Sequence, residues 1–329
     1  MKLEEVARLA GVSRTTASYV INGKAAEHRI SEKTQAKVMA VVEQYNYRPD
    51  QAATALRLGS SKLLGYILPD LENHSYAKLA KLLEAGARRR GFQLILACSD
   101  DDPATERALA ETLTARRIDA LLVSSVLPPG DDFYHSFQSK GLPIIAIDRA
   151  LDEQRFASVI SEDHDGASQL TRSLLQPAPA SIGLIGAVPD INISRLREQG
   201  FREAIAQSCP QLTPQCGYGD HFSREAGAAL CRQWLADDRL PEAILTTAYV
   251  LLEGVLDELA PHPELLARTR LATFGDNRLL DFLPVKVNAL PQQFPLIAEQ
   301  ALELAIDAIG RDYRTGLHII PRLLNVRAA

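Results

Sequence analysis

The 329 residues hold 46% hydrophobic and 23% charged side chains with a formal charge of −5, a globular composition that excludes intrinsic disorder, and the length predicts two or three domains. No run of about 18 apolar residues could span a bilayer, and Glu4 and Glu5 stand where a signal peptide needs an apolar stretch, so a cytoplasmic protein without membrane contact is expected. The four cysteines (Cys98, Cys209, Cys216, Cys231) are too few for a disulfide scaffold and lack zinc-ligand spacing, so neither disulfides nor a metal site is expected.

The charge is unevenly spread. Residues 1–62 hold ten Lys/Arg against six Asp/Glu, a net of +4, which leaves −9 for the remainder of a chain totalling −5. A small basic head on an acidic body is the asymmetry expected when the head alone meets a polyanion. In that head, Leu3, Val6, Ala7 and Ala10 fall at helical spacing, with Glu4 and Glu5 in the first turn where the helix dipole favours acids. Gly11 predicts a break and Ser13 the N-cap of a second helix over 14–21, which buries Ala17, Val20 and Ile21 and stops at Asn22-Gly23. Ser31 opens a third helix with Val38, Val41 and Val42 as its stripe. Three short helices with a glycine turn between the first two predict a helix-turn-helix. The second helix is expected to turn Arg14, Thr15, Thr16, Ser18 and Tyr19 outward, a face of donors without an acid. Such residues, with Ser13 and Asn22 at the helix ends, suit the base edges and phosphates of double-stranded DNA, an arginine reading guanine bidentately.

The run from Glu5 to Gly23 resembles the helix-turn-helix of the LacI/GalR family of bacterial repressors, and the resemblance extends over essentially the whole chain. It implies base contacts for Arg14, Thr15 and Tyr19. Next comes Tyr45-Asn46-Tyr47-Arg48-Pro49, then a helix-like stretch over 50–58 that ends at Gly59-Ser60-Ser61. A helix this short is marginal alone, and a flexible linker is one reading of it. The resemblance implies a hinge helix that folds on DNA, where two copies wedge Leu56 into the minor groove with Arg57 beside it to answer the phosphates. The implied assembly is a homodimer on a palindromic operator. No leucine heptads follow the last strand-like segment (317–326), so a tetramerisation helix is not expected.

From residue 62 the pattern becomes alternating strands and helices. Strand-like runs cover 63–68, 92–98, 120–124, 143–147, 181–186, 243–247 and 271–274; helix-like runs cover 76–90, 105–117, 165–175, 195–206, 224–235 and 298–309. Apolar strands separated by amphipathic helices predict parallel sheets covered on both faces. The fold expected is an all-α helix-turn-helix head and an α/β body of two doubly wound parallel-sheet lobes, which resembles the periplasmic-binding-protein type. Domain boundaries are expected at 1–48 for the head, 49–61 for hinge and linker, and 62–329 for the body, with Pro177-Ala178-Pro179 as the break between lobes.

Ligands in such sheets bind beyond the carboxyl ends of the strands, and polar clusters stand there. Asp148-Arg149 follows one strand, Gly275-Asp276-Asn277 another, and Ser194 to Gly200, with Arg197, opens a helix after a third. Carboxylates accept paired sugar hydroxyls, and Arg149 and Arg197 can clamp a phosphate bidentately. The resemblance implies effector contacts for Asp148, Arg197 and Asp276, an aromatic cover from Phe222, a rim contact from Gln292, and contacts from Ser75 and Tyr76. The runs 148–152 and 196–201 are those of fructose-responsive members of the family, so the implied effector is a sugar phosphate resembling fructose 1-phosphate. Ala248-Tyr249 replaces an Asn-Asp pair common in the family, which favours a smaller or phosphorylated ligand, and Arg322 is a further candidate phosphate partner.

No enzyme constellation is present: the seven histidines form no nucleophile–base pattern, and Gly183-Leu184-Ile185-Gly186 lacks the third glycine of a dinucleotide loop. The reading that follows is a sequence-specific DNA-binding transcriptional regulator of sugar metabolism, released from its operator by a phosphorylated sugar and needing no cofactor. The alternative is a cytoplasmic sugar-phosphate receptor without DNA binding.

Overall fold

A computed structural model describes residues 1–48, 59–128 and 130–327, which separate into two compact units, Met1–Ser61 and Lys62–Ala329. Leu56 and Arg57, the expected minor-groove wedge and its neighbour, lie outside the described residues.

The first unit contains α1 (Leu3–Ala10), α2 (Arg14–Ile21) and α3 (Glu32–Gln44). They close on Val6, Ala7, Ala10, Ala17, Val20, Val38 and Val41, all buried. Gly11 ends α1 with φ +66°, a left-handed conformation that glycine adopts without the strain a side chain would add. Ser13 caps α2, its Oγ accepting the Thr16 N–H at 3.0 Å, and Ser31 caps α3 in the same way through Thr34.

The second unit has two sheets, every strand pair parallel. The first lobe runs β1 (Leu63–Leu68), α4 (His74–Arg89), β2 (Gln93–Cys98), α5 (Pro103–Ala115), β3 (Ala120–Val123), α6 (Phe133–Gln138), β4 (Ile144–Ile147) and β5 (Ala157–Ser161). The second runs α7 (His164–Arg172), β6 (Ile182–Ala187), α8 (Asn192–Ser208), β7 (Gln215–Gly219), α9 (Arg224–Ala236), β8 (Ala243–Thr246), α10 (Tyr249–Leu259), α11 (Pro263–Arg268), β9 (Arg270–Phe274) and β10 (Val287–Leu290). The chain then returns through α12 (Phe294–Ile309) and β11 (Gly316–Ile320) to the first sheet. Strand orders are β11-β5-β4-β3-β1-β2 and β10-β9-β8-β6-β7.

The strands are apolar on both faces because helices cover both faces. Leu64, Tyr66 and Leu68 of β1 pack on one side with Leu79 and Leu83, while Ile67 packs on the other with Leu113 and Leu121. Among the described residues no helix is long and apolar enough to cross a membrane.

The lobe crossings differ from expectation. The chain first changes lobe between β5 and α7, at residues 162 and 163, and the Pro177–Pro179 loop lies inside the second lobe, between α7 and β6. The second crossing follows β10 and the third follows β11, whose continuation bridges Ala289 through Asn325. The crossings are laced together: Gln292 Nε2 donates to Ser161 Oγ at 3.0 Å, Gln293 Nε2 to the Pro321 carbonyl at 2.8 Å, and Arg322 Nη1 to the Leu290 carbonyl at 3.3 Å.

Candidate functional site

Two places gather polar side chains that folding alone does not require. The first is the surface of α2. Arg14 and Thr15 are exposed, and Thr16 and Tyr19 are half-buried. Thr16 shares its hydroxyl with Ser13 Oγ at 2.8 Å, Arg14 pairs with Glu4 of α1 at 3.1 Å, and Tyr19 stacks on His28 with ring centroids 3.5 Å apart. One expected member is misplaced. Ser18 is 6% exposed, and its Oγ and carbonyl accept the Asn22 side-chain amide at 3.2 and 2.6 Å, so both residues are joined at the end of the helix. In a helix of eight residues packed along one side, Ser18 sits beside buried Ala17 at the edge of the apolar stripe.

The second place is the cleft between the two lobes, beyond the carboxyl ends of the strands. A cavity of about 60 Å³ is lined from the first lobe by Ser75, Tyr76, Asp148 and Arg149, from the second by Arg197, Phe222, Thr247 and Phe274, and from the crossings by Gln292 and Arg322. A wider and mostly apolar chamber of about 410 Å³ adjoins it across Asp148, Arg149 and Ile193.

Asp148 directly follows β4 with φ +69°, a conformation aspartate tolerates better than most residues. Its two oxygens accept the Tyr76 hydroxyl at 2.8 Å and Gln292 Nε2 at 2.7 Å. Burial holds the Tyr76 phenol well above its ordinary pKa, so it remains a donor. On the opposite wall, Arg197 donates from Nε to Asp163 at 2.8 Å and from Nη1 to the Thr247 carbonyl at 2.6 Å, with its guanidinium 4.4 Å from the Phe274 ring centre. Arg322 donates from Nη2 to the same Asp163 oxygen at 2.9 Å and lies 5.1 Å from the same ring.

Among the described residues, three buried side-chain polar atoms have no hydrogen-bond partner: Arg149 Nε, Thr247 Oγ1 and Arg322 Nε. All three belong to residues that line this one cavity. Folded proteins rarely leave buried donors orphaned, because each costs roughly 1–3 kcal/mol. Three such residues around one cavity leave it with unused hydrogen-bonding capacity.

Two sequence expectations are corrected. Asp276 does not line the cavity: its carboxylate is taken by Asn325 Nδ2 at 2.7 Å and Arg327 Nη2 at 2.8 Å, and Gly275 lines the wall in its place. The turn at Gly275, with φ +86°, sends the next side chain toward the C-terminal segment. Arg149 is not a free phosphate clamp either. Asp101 binds its Nη1 at 2.5 Å and its Nη2 at 3.3 Å, so the guanidinium is anchored on its Nη side and its Nε–H has no partner. Burial opposes the charge on Arg149, but Tyr76, Asp101 and Asp148 more than offset it and raise the pKa. Asp101, Asp163 and Thr247 were missed. Two precede helices as ordinary cap or turn candidates, and only tertiary contact sets them beside arginines.

The family models match at both places. Residues 2–50 match the bacterial regulatory proteins of the lacI family, and residues 61–249 match the periplasmic binding proteins and sugar binding domain of the LacI family. The chain is 59% identical over 327 residues to the fructose operon regulatory protein of Vibrio cholerae, covering 99% of this chain and 100% of that protein. The chain belongs to the LacI family of bacterial regulatory proteins. Within the family it is 45% identical to the catabolite repressor/activator of Escherichia coli K12, over 98% of this chain and 97% of that one. A solved structure of the Cra transcriptional dual regulator from Pseudomonas putida, in complex with fructose 1-phosphate, superimposes with a TM-score of 0.78 at 51% identity, covering 82% of this chain and 99% of that one. These LacI-family relatives are regulators and not enzymes, as the residues of this chain also read.

Proposed function

We propose that this LacI-family regulator binds operator DNA through α2 and is released from it when a sugar phosphate, fructose 1-phosphate in the first instance, enters the interlobe cavity. The carrying observation is that the three described residues with an orphaned buried polar atom, Arg149, Thr247 and Arg322, all line one cavity. Asp148, Gln292, Ser75 and Tyr76 form a wall of acceptors and donors suited to sugar hydroxyls. Arg197, Arg322 and Thr247 form a wall suited to an anion, with Phe222 against the ring. A hexose monophosphate has the same polarity, and the Pseudomonas putida relative carries fructose 1-phosphate.

For the head, Arg14, Thr15 and Tyr19 would read bases, while Ser13, Thr16 and Asn22 support the helix end and its phosphate contacts. The regulator acts as a homodimer on a palindromic site. A ligand bridging the two walls favours the closed lobes, and it can shift the operator equilibrium only by its differential affinity for the two arrangements.

Calorimetric titration of the purified protein with fructose 1-phosphate, against fructose and fructose 1,6-bisphosphate, tests the effector. Tight binding of the monophosphate together with release of a palindromic duplex is expected; no binding of any of the three sinks the effector half. Operator affinity should also fall steeply with salt, since each phosphate neutralised releases counterions. A flat salt response would favour a receptor without DNA binding.

A further inference from the structure

The sugar-phosphate reading leaves Asp163 unexplained. It directly precedes α7, the position at which an aspartate ordinarily accepts N–H groups of its own helix's first turn, yet it makes no such capping bond. Instead its Oδ1 alone serves Arg197 Nε at 2.8 Å and Arg322 Nη2 at 2.9 Å, and the residue is only 5% exposed. The three side chains come from different parts of the body: Asp163 from the first lobe crossing, Arg322 from the third, and Arg197 from α8. Gly200 makes the approach possible, because a Cβ there would stand 2.1 Å from the His164 carbonyl. With glycine, α7 and α8 come close enough for Asp163 to reach Arg197.

Two guanidiniums over one aromatic ring share a single carboxylate oxygen, while Asp148 stands across the cavity as a second carboxylate. Burial pushes the Arg322 pKa down, and the neighbouring Arg197 pushes the same way, while Asp163 and, across the cavity, Asp148 oppose both. Asp148, half-buried, is held on the other wall by the neutral donors Tyr76 and Gln292.

We propose that Asp163 is an internal surrogate for the effector's phosphate. It holds Arg197 and Arg322 in anion-binding geometry while the cleft is empty, and the bound phosphate then competes with it for the two guanidiniums. This inference rests on the sugar-phosphate reading of the cavity. It makes Asp163 a positioning and specificity residue that need not touch the ligand. A phosphate can replace the carboxylate as the anionic partner of the two guanidiniums and a neutral sugar cannot, so the arrangement around Asp163 sets the preference for an anion. Because Asp163 and Arg322 stand on two of the three crossings, loosening their bond also bears directly on the segments about which the lobes move.

The test is Asp163→Asn in the full chain, which keeps the side-chain shape and removes the charge. In phosphate-free buffer the variant is expected to melt roughly 5–10 °C below wild type. Inorganic phosphate should recover at least half of that loss, while moving wild type far less, because the anion stands in for the missing carboxylate. Fructose should recover nothing. In Asp163→Asn combined with Arg322→Met a single cation remains, and the dependence on phosphate should disappear. A variant that melts at the same temperature with and without phosphate overturns the proposal, as does one that stays unfolded in both. Titration of wild type with fructose 1-phosphate separates the two levels. Binding there, without the enhanced phosphate response in the variant, removes the role of Asp163 alone. No binding in wild type removes the sugar-phosphate reading beneath it.

Discussion

The head and the cleft both set arginines toward anions, but they handle the desolvation cost in opposite ways. Arg14 is two-thirds exposed and its partner Glu4 nearly as much, so the pair is held loosely and exchanges for a phosphate or base edge at little cost. Arg149, Arg197 and Arg322 are at least 93% buried, and each is pinned by a carboxylate before any ligand arrives. A polyanion surface is met by adaptable, solvated side chains whose contribution salt can screen. A small anion is met by donors fixed in advance, where the low dielectric strengthens every contact and leaves unpaired atoms costly. Substitutions in the two regions should therefore differ in size as well as in kind.

The largest effect is expected at Arg197. Arg197→Ala removes a buried guanidinium while leaving Asp163 with Arg322, so the fold keeps a balanced pair. Truncating one partner of a buried charge contact costs roughly 2–5 kcal/mol, which predicts at least about a thirtyfold loss of fructose 1-phosphate affinity by calorimetry with operator binding retained. Loss of operator binding as well would make Arg197 a structural residue. Next is Arg14→Ala, expected to lose roughly 1–3 kcal/mol of discrimination between operator and scrambled duplex in a binding assay at fixed salt. Stability should hardly move, and equal weakening on both duplexes would reduce Arg14 to a phosphate contact. Ser13→Ala removes the cap of α2 and should lower the stability of the head by about 1 kcal/mol in a thermal melt. An unchanged melt would show that Thr16 closes the helix end alone.

A smaller, pH-dependent effect belongs to the surface of the second lobe. His164 bonds Asp165 at 2.9 Å and Glu203 at 3.1 Å, and these contacts, Asp165 foremost, raise its pKa above 6.5 against partial burial. A raised histidine stabilises the fold below its unfolded pKa, and the contribution is lost as pH climbs through the folded value. With the side chain 32% exposed, solvent screening reduces this to a few tenths of a kcal/mol. Melts of His164→Gln and wild type should therefore converge as pH is raised from about 6 to 8, and curves that stay parallel across that range would remove the charge from the account.

The fold was readable where one periodicity dominated. The strands at 63–68, 120–123 and 144–147 are continuous apolar runs, and they form the centre of the first sheet. Strands β5, β7 and β10 escaped because polar or glycine residues interrupt them: Ser158 and Ser161 in β5, Gly217 in β7, Asn288 in β10. The edge position of β7 leaves all five of its residues half-buried, so no strong apolar signal was needed there. The site was legible as residue types at strand ends but not as pairings. Nothing local distinguishes Asp163, which serves two arginines, from Asp102, which caps its own helix through Thr105. The first lobe crossing was likewise misplaced because Pro177–Pro179 is the stronger local breaker, whereas the crossing at Glu162-Asp163 is set by the pairing of β5 with β11.

The smallest expected effect sharpens the same contrast. Asp148 and Asp276 both follow strands that end at the cleft, and sequence alone gave them the same role. The structure separates them, since Tyr76 and Gln292 aim Asp148 into the cavity while Asn325 and Arg327 hold Asp276 away from it. Asp276→Ala should leave fructose 1-phosphate affinity within about twofold of wild type, because no cavity-lining donor loses its acceptor. Arg327 still reaches Asp281 at 2.8 Å and the Val287 carbonyl at 3.2 Å, so the C-terminal segment loses one contact of several and stability falls by about 1 kcal/mol at most. Calorimetry on this variant beside Asp148→Ala decides the matter. A tenfold or greater loss in Asp276→Ala would mean that ligand binding turns the Gly275 loop and draws the carboxylate into the cleft.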